Sequence, residues 1–154
     1  MSAETDAKLA SLGITLPAAA APAANYVPYV QSANMLYISG QLPIEAGRLA
    51  VTGQLGAGVH TPEGVRAAEL CAVNILAQAQ AALGDLGRIK RVVKINVLVS
   101  STPDFYEQHL VANGASNLLA HVLGDAGKHA RAAVGMSALP LNAAVEIDAV
   151  IEVA

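Results

Sequence analysis

The sequence predicts an α+β fold in which two helices cover one face of a mixed β-sheet. Three observations predict it: strand-like runs toward both ends of the chain, two long segments of helical periodicity, and a length of 154 residues with no internal repeat. The order strand, strand, helix, strand, helix, strand, strand is that of a layered sandwich, in which each helix buries its apolar stripe against the sheet. One domain spanning residues 1–154 is large enough for a single core without disulfides.

Taken in order, Leu9 and Leu12 followed by Gly13 predict a short helix over 4–12. With the Ala/Pro connector at 17–28, predicted to be extended and superficial, this helix belongs to an N-terminal extension, residues 1–24. Met35-Leu36-Tyr37-Ile38-Ser39 is apolar and β-prone, and Gly40-Gln41-Leu42-Pro43 ends it. A turn at 45–48 leads to a second short strand at 49–51 and a glycine-rich loop at 53–58. Thr61-Pro62-Glu63 supplies an N-cap residue, a proline at the first helical position and an acid in the first turn, and the helix should run to Leu83 and stop at Gly84. Residues 91–100 predict a strand with Val93, Ile95, Val97 and Val99 on one face. Thr102-Pro103-Asp104 opens a second helix with apolar positions from Phe105 to Leu123 and a place for a kink at Asn113-Gly114. Two strands, 131–137 and 144–153, close the chain on either side of Leu139-Pro140-Leu141-Asn142.

Alternation in these last strands groups Val134 and Met136 with Val145, Ile147, Ala149, Ile151 and Val153. It leaves Arg131, Ala133, Gly135 and Ser137, with Glu146, Asp148, Val150 and Glu152, on a face that no helix is expected to cover. That face is too poor in Lys, Glu and Thr for a solvated sheet, and a subunit interface explains it better. Only 14% of the residues are charged and 54% are hydrophobic, so part of the apolar surplus is expected to face a neighbouring protomer. Arg131 draws attention there, since a guanidinium matches a carboxylate in bidentate fashion. Asp148, on the same nominal face, could orient a water or move a proton, or equally serve as the arginine's ion-pair partner.

The charge balance, 9 basic against 12 acidic residues with no Trp and one Phe, argues against nucleic acid as a partner. An acidic start without a basic and apolar leader, and the lack of a long apolar run, predict a cytoplasmic protein that does not engage a membrane.

Several segments together resemble the reactive-intermediate deaminase (RidA, formerly YjgF) family: Tyr29-Val30-Gln31, Ile38-Ser39-Gly40-Gln41-Leu42-Pro43, Arg131-Ala132-Ala133-Val134, Leu139-Pro140 and Val145-Glu146-Ile147-Asp148-Ala149. The resemblance covers residues 25–153 and implies a chorismate-mutase-like fold assembled as a homotrimer with sites between subunits. It implies hydrolysis of 2-imino acids such as 2-iminopropanoate or 2-iminobutanoate to the 2-keto acid and ammonia, with no metal or organic cofactor. By position, Arg131 would hold the substrate carboxylate and Asp148 would stand for the family's water-positioning glutamate. Tyr29 would close the pocket from the neighbouring chain, and Ser39 and Gly40 would line its wall. The sequence departs from the family at Ala133, often a cysteine, where only backbone contacts remain, at Asp148, one methylene shorter than glutamate, and at Gly135 and Ala138. A trimeric module that binds a keto acid without chemistry is the alternative, and the family's older ribonuclease label fits the acidic balance poorly.

Other constellations carry little. The loop at 53–58 lacks the lysine and hydroxyl pair of a phosphate loop. His60, His109, His121 and His129 have no metal-ligand spacing, Cys71 falls among core positions, and Ser39 lacks a nucleophile elbow.

Overall fold

The computed structural model describes residues 2–154. Along the chain, α1 (Ser2–Ser11) precedes strands β1 (Tyr29–Ser32) and β2 (Met35–Gln41). Two small ladders follow, β3 (Ile44–Glu45) with β4 (Arg48–Leu49) and β5 (Gln54–Leu55) with β6 (Gly58–Val59). Then come α2 (Thr61–Leu83), β7 (Ile89–Ser100), α3 (Gln108–Leu123), β8 (Ala130–Met136) and β9 (Val145–Val153). The main sheet has the order β1-β2-β9-β7-β8, antiparallel except for the parallel pair β7–β8. Helices α2 and α3 pack on one face, as the sequence predicts.

Strand β1 is an unforeseen element. The hairpin pairs Tyr29 with Ile38 and Ser32 with Met35, and Ala33 takes a positive φ of 53° in the turn. Thr61 is not the N-cap of α2. Its hydroxyl donates to Glu107 at 2.6 Å, so His60 takes the capping position and its backbone N–H donates to Glu63 at 3.1 Å. Gly84 ends the helix with φ 76°, as expected of a left-handed C-cap. Helix α3 starts at Gln108 rather than after Pro103, because the Thr102 hydroxyl is bound by Asp104 at 2.6 Å instead of capping a helix.

Buried Leu36, Ile38, Ile95, Val97, Val99, Val145, Ile147 and Ile151 meet Ala68, Ala72, Ile75, Leu76, Ala115 and Leu119 in one core. In β7 the buried residue is Val92, not Val93, because the register against β9 shifts between Val92 and Lys94 and reverses the alternation before that point. Gly114 does not kink α3. It lets α3 approach α2 so closely that any Cβ there would run into the Val65 carbonyl.

The larger correction concerns the last two strands. They do not pair with each other, since β7 lies between them. Partner residues across a ladder share a face, so Ile38, Ala149, Ile95 and Arg131 form one row and Tyr37, Val150, Lys94 and Ala130 another. Arg131, Ala133 and Gly135 therefore face the helices, while Asp148 and Glu146 lie on the open face with Val134 and Met136. Arg131 and Asp148 do not share a face.

A prediction follows for the α2–α3 crossing. Gly114→Ala should force the helices apart and lower unfolding free energy by about 1–3 kcal/mol in a denaturant titration. An exposed control, Ala10→Gly in α1, should leave the transition of the main core nearly unchanged.

Candidate active site

The candidate residues fall in two separated regions. The first is the helix-facing side of edge strand β8. There the Arg131 guanidinium donates from Nη1 to Asn113 Oδ1 (2.9 Å) and to Ser116 Oγ (2.9 Å), and from Nη2 to the His109 carbonyl (3.0 Å). Of its five N–H donors these bonds occupy three, which leaves the Nε–H and one Nη2–H for an incoming acceptor. No carboxylate of the chain pairs with Arg131 among the described residues. Ala133 is packed against the core edge, and Gly135 sits where a Cβ would crowd Ser101 Oγ and Gln108.

The second region is a cavity of about 300 Å³ at the β2–β9 end of the sheet, whose lining includes Tyr26, Pro28, Gly40, Leu42, Pro140 and Glu146. The predicted connector is not merely superficial. Its Ala20–Ala24 stretch forms a wall of this cavity and is tied to α2 by a hydrogen bond from Gln78 Nε2 to the Ala20 carbonyl at 2.8 Å. The register of β2 against β9 shifts between Ile38 and Gln41, which places Ser39 and Gly40 in a bulge. Ser39 donates its hydroxyl to the Val27 carbonyl (2.8 Å), so it is a structural clasp on the preceding segment. Tyr29, in β1, packs half-buried against the core.

The carboxylate beside Gly40 is Glu146, not Asp148. A Cβ on Gly40 would collide with the Glu146 carboxyl group, so the bulge glycine makes room for it. Glu146 is half-buried, and its carboxyl group has no hydrogen-bond or ion-pair partner among the described residues. Burial holds its carboxyl above the ordinary 4.5, and the Asp148 charge adds to the shift. Asp148 instead accepts a hydrogen bond from Asn96 Nδ2 at 2.8 Å. Alternation cannot separate these two acids, since both occupy the open face of β9. Only the bulge opposite them shows which one reaches the cavity.

A family model described as "YjgF/chorismate_mutase-like, putative endoribonuclease" matches residues 6–153. The chain belongs to the YjgF family. It is 57% identical over 147 residues to Protein TCP17 of Trypanosoma cruzi, covering 95% of this chain and 92% of that protein. A crystal structure of a protein of unknown function from Agrobacterium tumefaciens superposes with a TM-score of 0.95 at 60% identity, covering 99% of this chain and 94% of that one. RidA from an Antarctic Psychrobacter is 31% identical, with a TM-score of 0.61 over 91% of this chain and 99% of that one.

Within this YjgF-family chain the other candidate groups are spent on structure. Burial pushes the Cys71 thiol well up, with the Glu146 charge adding to the effect, and its Sγ points to the Val145 carbonyl. A larger cavity of about 590 Å³, lined in part by Leu12, Arg66, Asn117 and His121, lies on the helical side. Its one arginine is already paired with Glu45 (2.8 Å) and Glu69 (3.5 Å). No group of three metal-ligating side chains occurs among the described residues, nor is any helix long and apolar enough to cross a membrane.

The raised Glu146 carboxyl has a consequence for stability. The folded chain holds this proton more tightly than the unfolded chain, so the contribution is present at low pH and is lost as pH rises through the range above 4.5. Glu146→Gln removes that loss. Its denaturation midpoint should exceed that of the parent chain at about pH 7, with the gain vanishing toward about pH 4.

Proposed function

We propose that the chain forms a homotrimer and hydrolyses 2-imino acids at clefts between protomers. The observation that carries this reading is the separation of its two half-sites. Arg131 offers free donors at one edge of the sheet on the helix side, and Glu146 stands unpaired beside a cavity two strands away on the other side. One chain cannot bring them to a single small molecule, but the β8 edge of one protomer set against the β2–β9 end of the next can. The open face supports such packing. Val30, Tyr37, Val134 and Met136 are 38–51% exposed there, with no helix over them.

In the proposed site the substrate carboxylate accepts from the Nε–H and remaining Nη2–H of Arg131, which holds C2 toward Glu146 of the neighbouring protomer. Glu146 takes a proton from a water as that water attacks C2, giving a carbinolamine, and the nitrogen is protonated. The C–N bond then breaks and its electron pair leaves with ammonia. The hydroxyl proton is lost as the C2 carbonyl forms. Water is the only co-reactant, and a carboxyl with a raised pKa suits both proton transfers. The backbone at Ser39 and Gly40 walls the cleft, the backbone at Ala133 flanks Arg131, and Tyr29 closes it from the adjoining chain. Asp148 acts at a distance through its charge on Glu146.

The reading predicts keto acid release from freshly generated 2-iminopropanoate or 2-iminobutanoate. Arg131→Ala should lower kcat/KM by about 10- to 100-fold, the loss expected for a charged hydrogen bond. An equal rate in that variant would remove Arg131 from the reaction. Gly40→Ala should fold normally yet lose activity, because only the end of the flexible Glu146 side chain has to move. Elution as a monomer under assay conditions, with activity intact, would refute the composite cleft.

A further inference from the structure

The Arg131 side chain ends a directed chain of hydrogen bonds that runs to the loop before β8. Ser116 Oγ lies 2.9 Å from Arg131 Nη1 and 2.8 Å from His129 Nε2. His129 Nδ1 lies 2.6 Å from the Gly127 carbonyl. A guanidinium only donates and a carbonyl only accepts, so Ser116 accepts from Arg131 and His129 Nδ1–H donates to Gly127. In the neutral imidazole, Nε2 is then an acceptor, and the Ser116 hydroxyl donates to it. Every donor from Arg131 through Ser116 and His129 to Gly127 points the same way, an arrangement in which each bond polarises the next. Residue 127 lies so close to α3 that any side chain there would run into the Leu119 carbonyl.

We propose that His129 is a positioning residue for Arg131. By accepting a hydrogen bond from the Ser116 hydroxyl, it turns the lone pairs of that hydroxyl toward Arg131 Nη1. The guanidinium is thereby oriented with its Nε–H and remaining Nη2–H free for a carboxylate. This inference rests on the reading of Arg131 as the substrate anchor, and it adds a residue pair, Ser116 and His129, that touches no substrate.

The test compares KM and kcat for 2-iminobutanoate, and calorimetric binding of 2-ketobutyrate, in parent chain, His129→Leu, His129→Gln, Ser116→Ala and the His129→Leu/Ser116→Ala double variant. His129→Leu should raise KM and the keto acid Kd about three- to tenfold, the span of one net hydrogen bond, with kcat within about twofold. Ser116→Ala should match it, and the double variant should be no worse than either, because the two act as one relay. His129→Gln, whose amide oxygen can accept a hydrogen bond from the Ser116 hydroxyl, should recover most of the loss. Unchanged KM and Kd in both single variants, alongside a large loss in Arg131→Ala, would overturn the positioning role alone. So would additive losses in the double variant, or a His129→Gln variant as weak as His129→Leu. A parent chain that neither turns over imine nor binds keto acid would overturn the anchor reading, and the positioning role with it. If His129→Leu does not fold, Ser116→Ala and His129→Gln decide between these outcomes.

Discussion

The register of strand β7, which lies between β9 and the edge strand β8, is the constraint on which the arrangement depends. It pairs antiparallel with β9 and parallel with β8, and these ladders decide which side of the sheet every later residue occupies. The partner of Ile95 in β8 is Arg131, so the arginine is drawn to the helix side, where α3 supplies Asn113, Ser116 and the His109 carbonyl. The partner of Leu98 in β9 is Glu146, which goes to the other side and reaches the bulge at Gly40. A slip of one residue in the β7–β8 ladder would turn Arg131 away from α3, and one in the β7–β9 ladder would turn Glu146 away from the bulge.

Much of the architecture is legible in local chemistry. The stripe from Val65 to Leu83, stopped by Gly84, defines α2 without ambiguity, and the β-prone runs locate β2, β7 and β9. Strand β1 is hidden because its residues are mostly exposed and follow an Ala/Pro connector, so they show no buried alternation. The displaced start of α3 is equally illegible, since whether a Thr-Pro-Asp caps a helix depends on where the threonine hydroxyl finds its acceptor.

The candidate site residues divide in the same way. Arg131 and the Ser39-Gly40 turn stand out by residue type and motif. What alternation cannot give is the parity between two strands that are not neighbours. Grouping Val134 and Met136 with the core residues of β9 follows hydrophobicity, but β8 is an edge strand whose inner side meets polar groups of α3 and whose apolar side is turned outward. The choice between Asp148 and Glu146 likewise depends on a bulge in a different strand. The shortage of charge acquires a location in this way: the neutral, apolar open face from Val30 to Met136 is where the proposed trimer would bury it.

The most direct test of a cleft shared between protomers is complementation. Arg131→Ala and Glu146→Gln chains, each impaired alone, are unfolded together and refolded as mixed trimers in equal amounts. A cleft is intact when its arginine comes from the Glu146→Gln chain, a chance of one half, and its glutamate from the Arg131→Ala chain, again one half. Imine hydrolysis should therefore return to about one quarter of the parent rate for closed cyclic trimers. No recovery above the two single variants, in trimers shown to contain both chains, would place the arginine and the glutamate of each site in one chain and contradict the account.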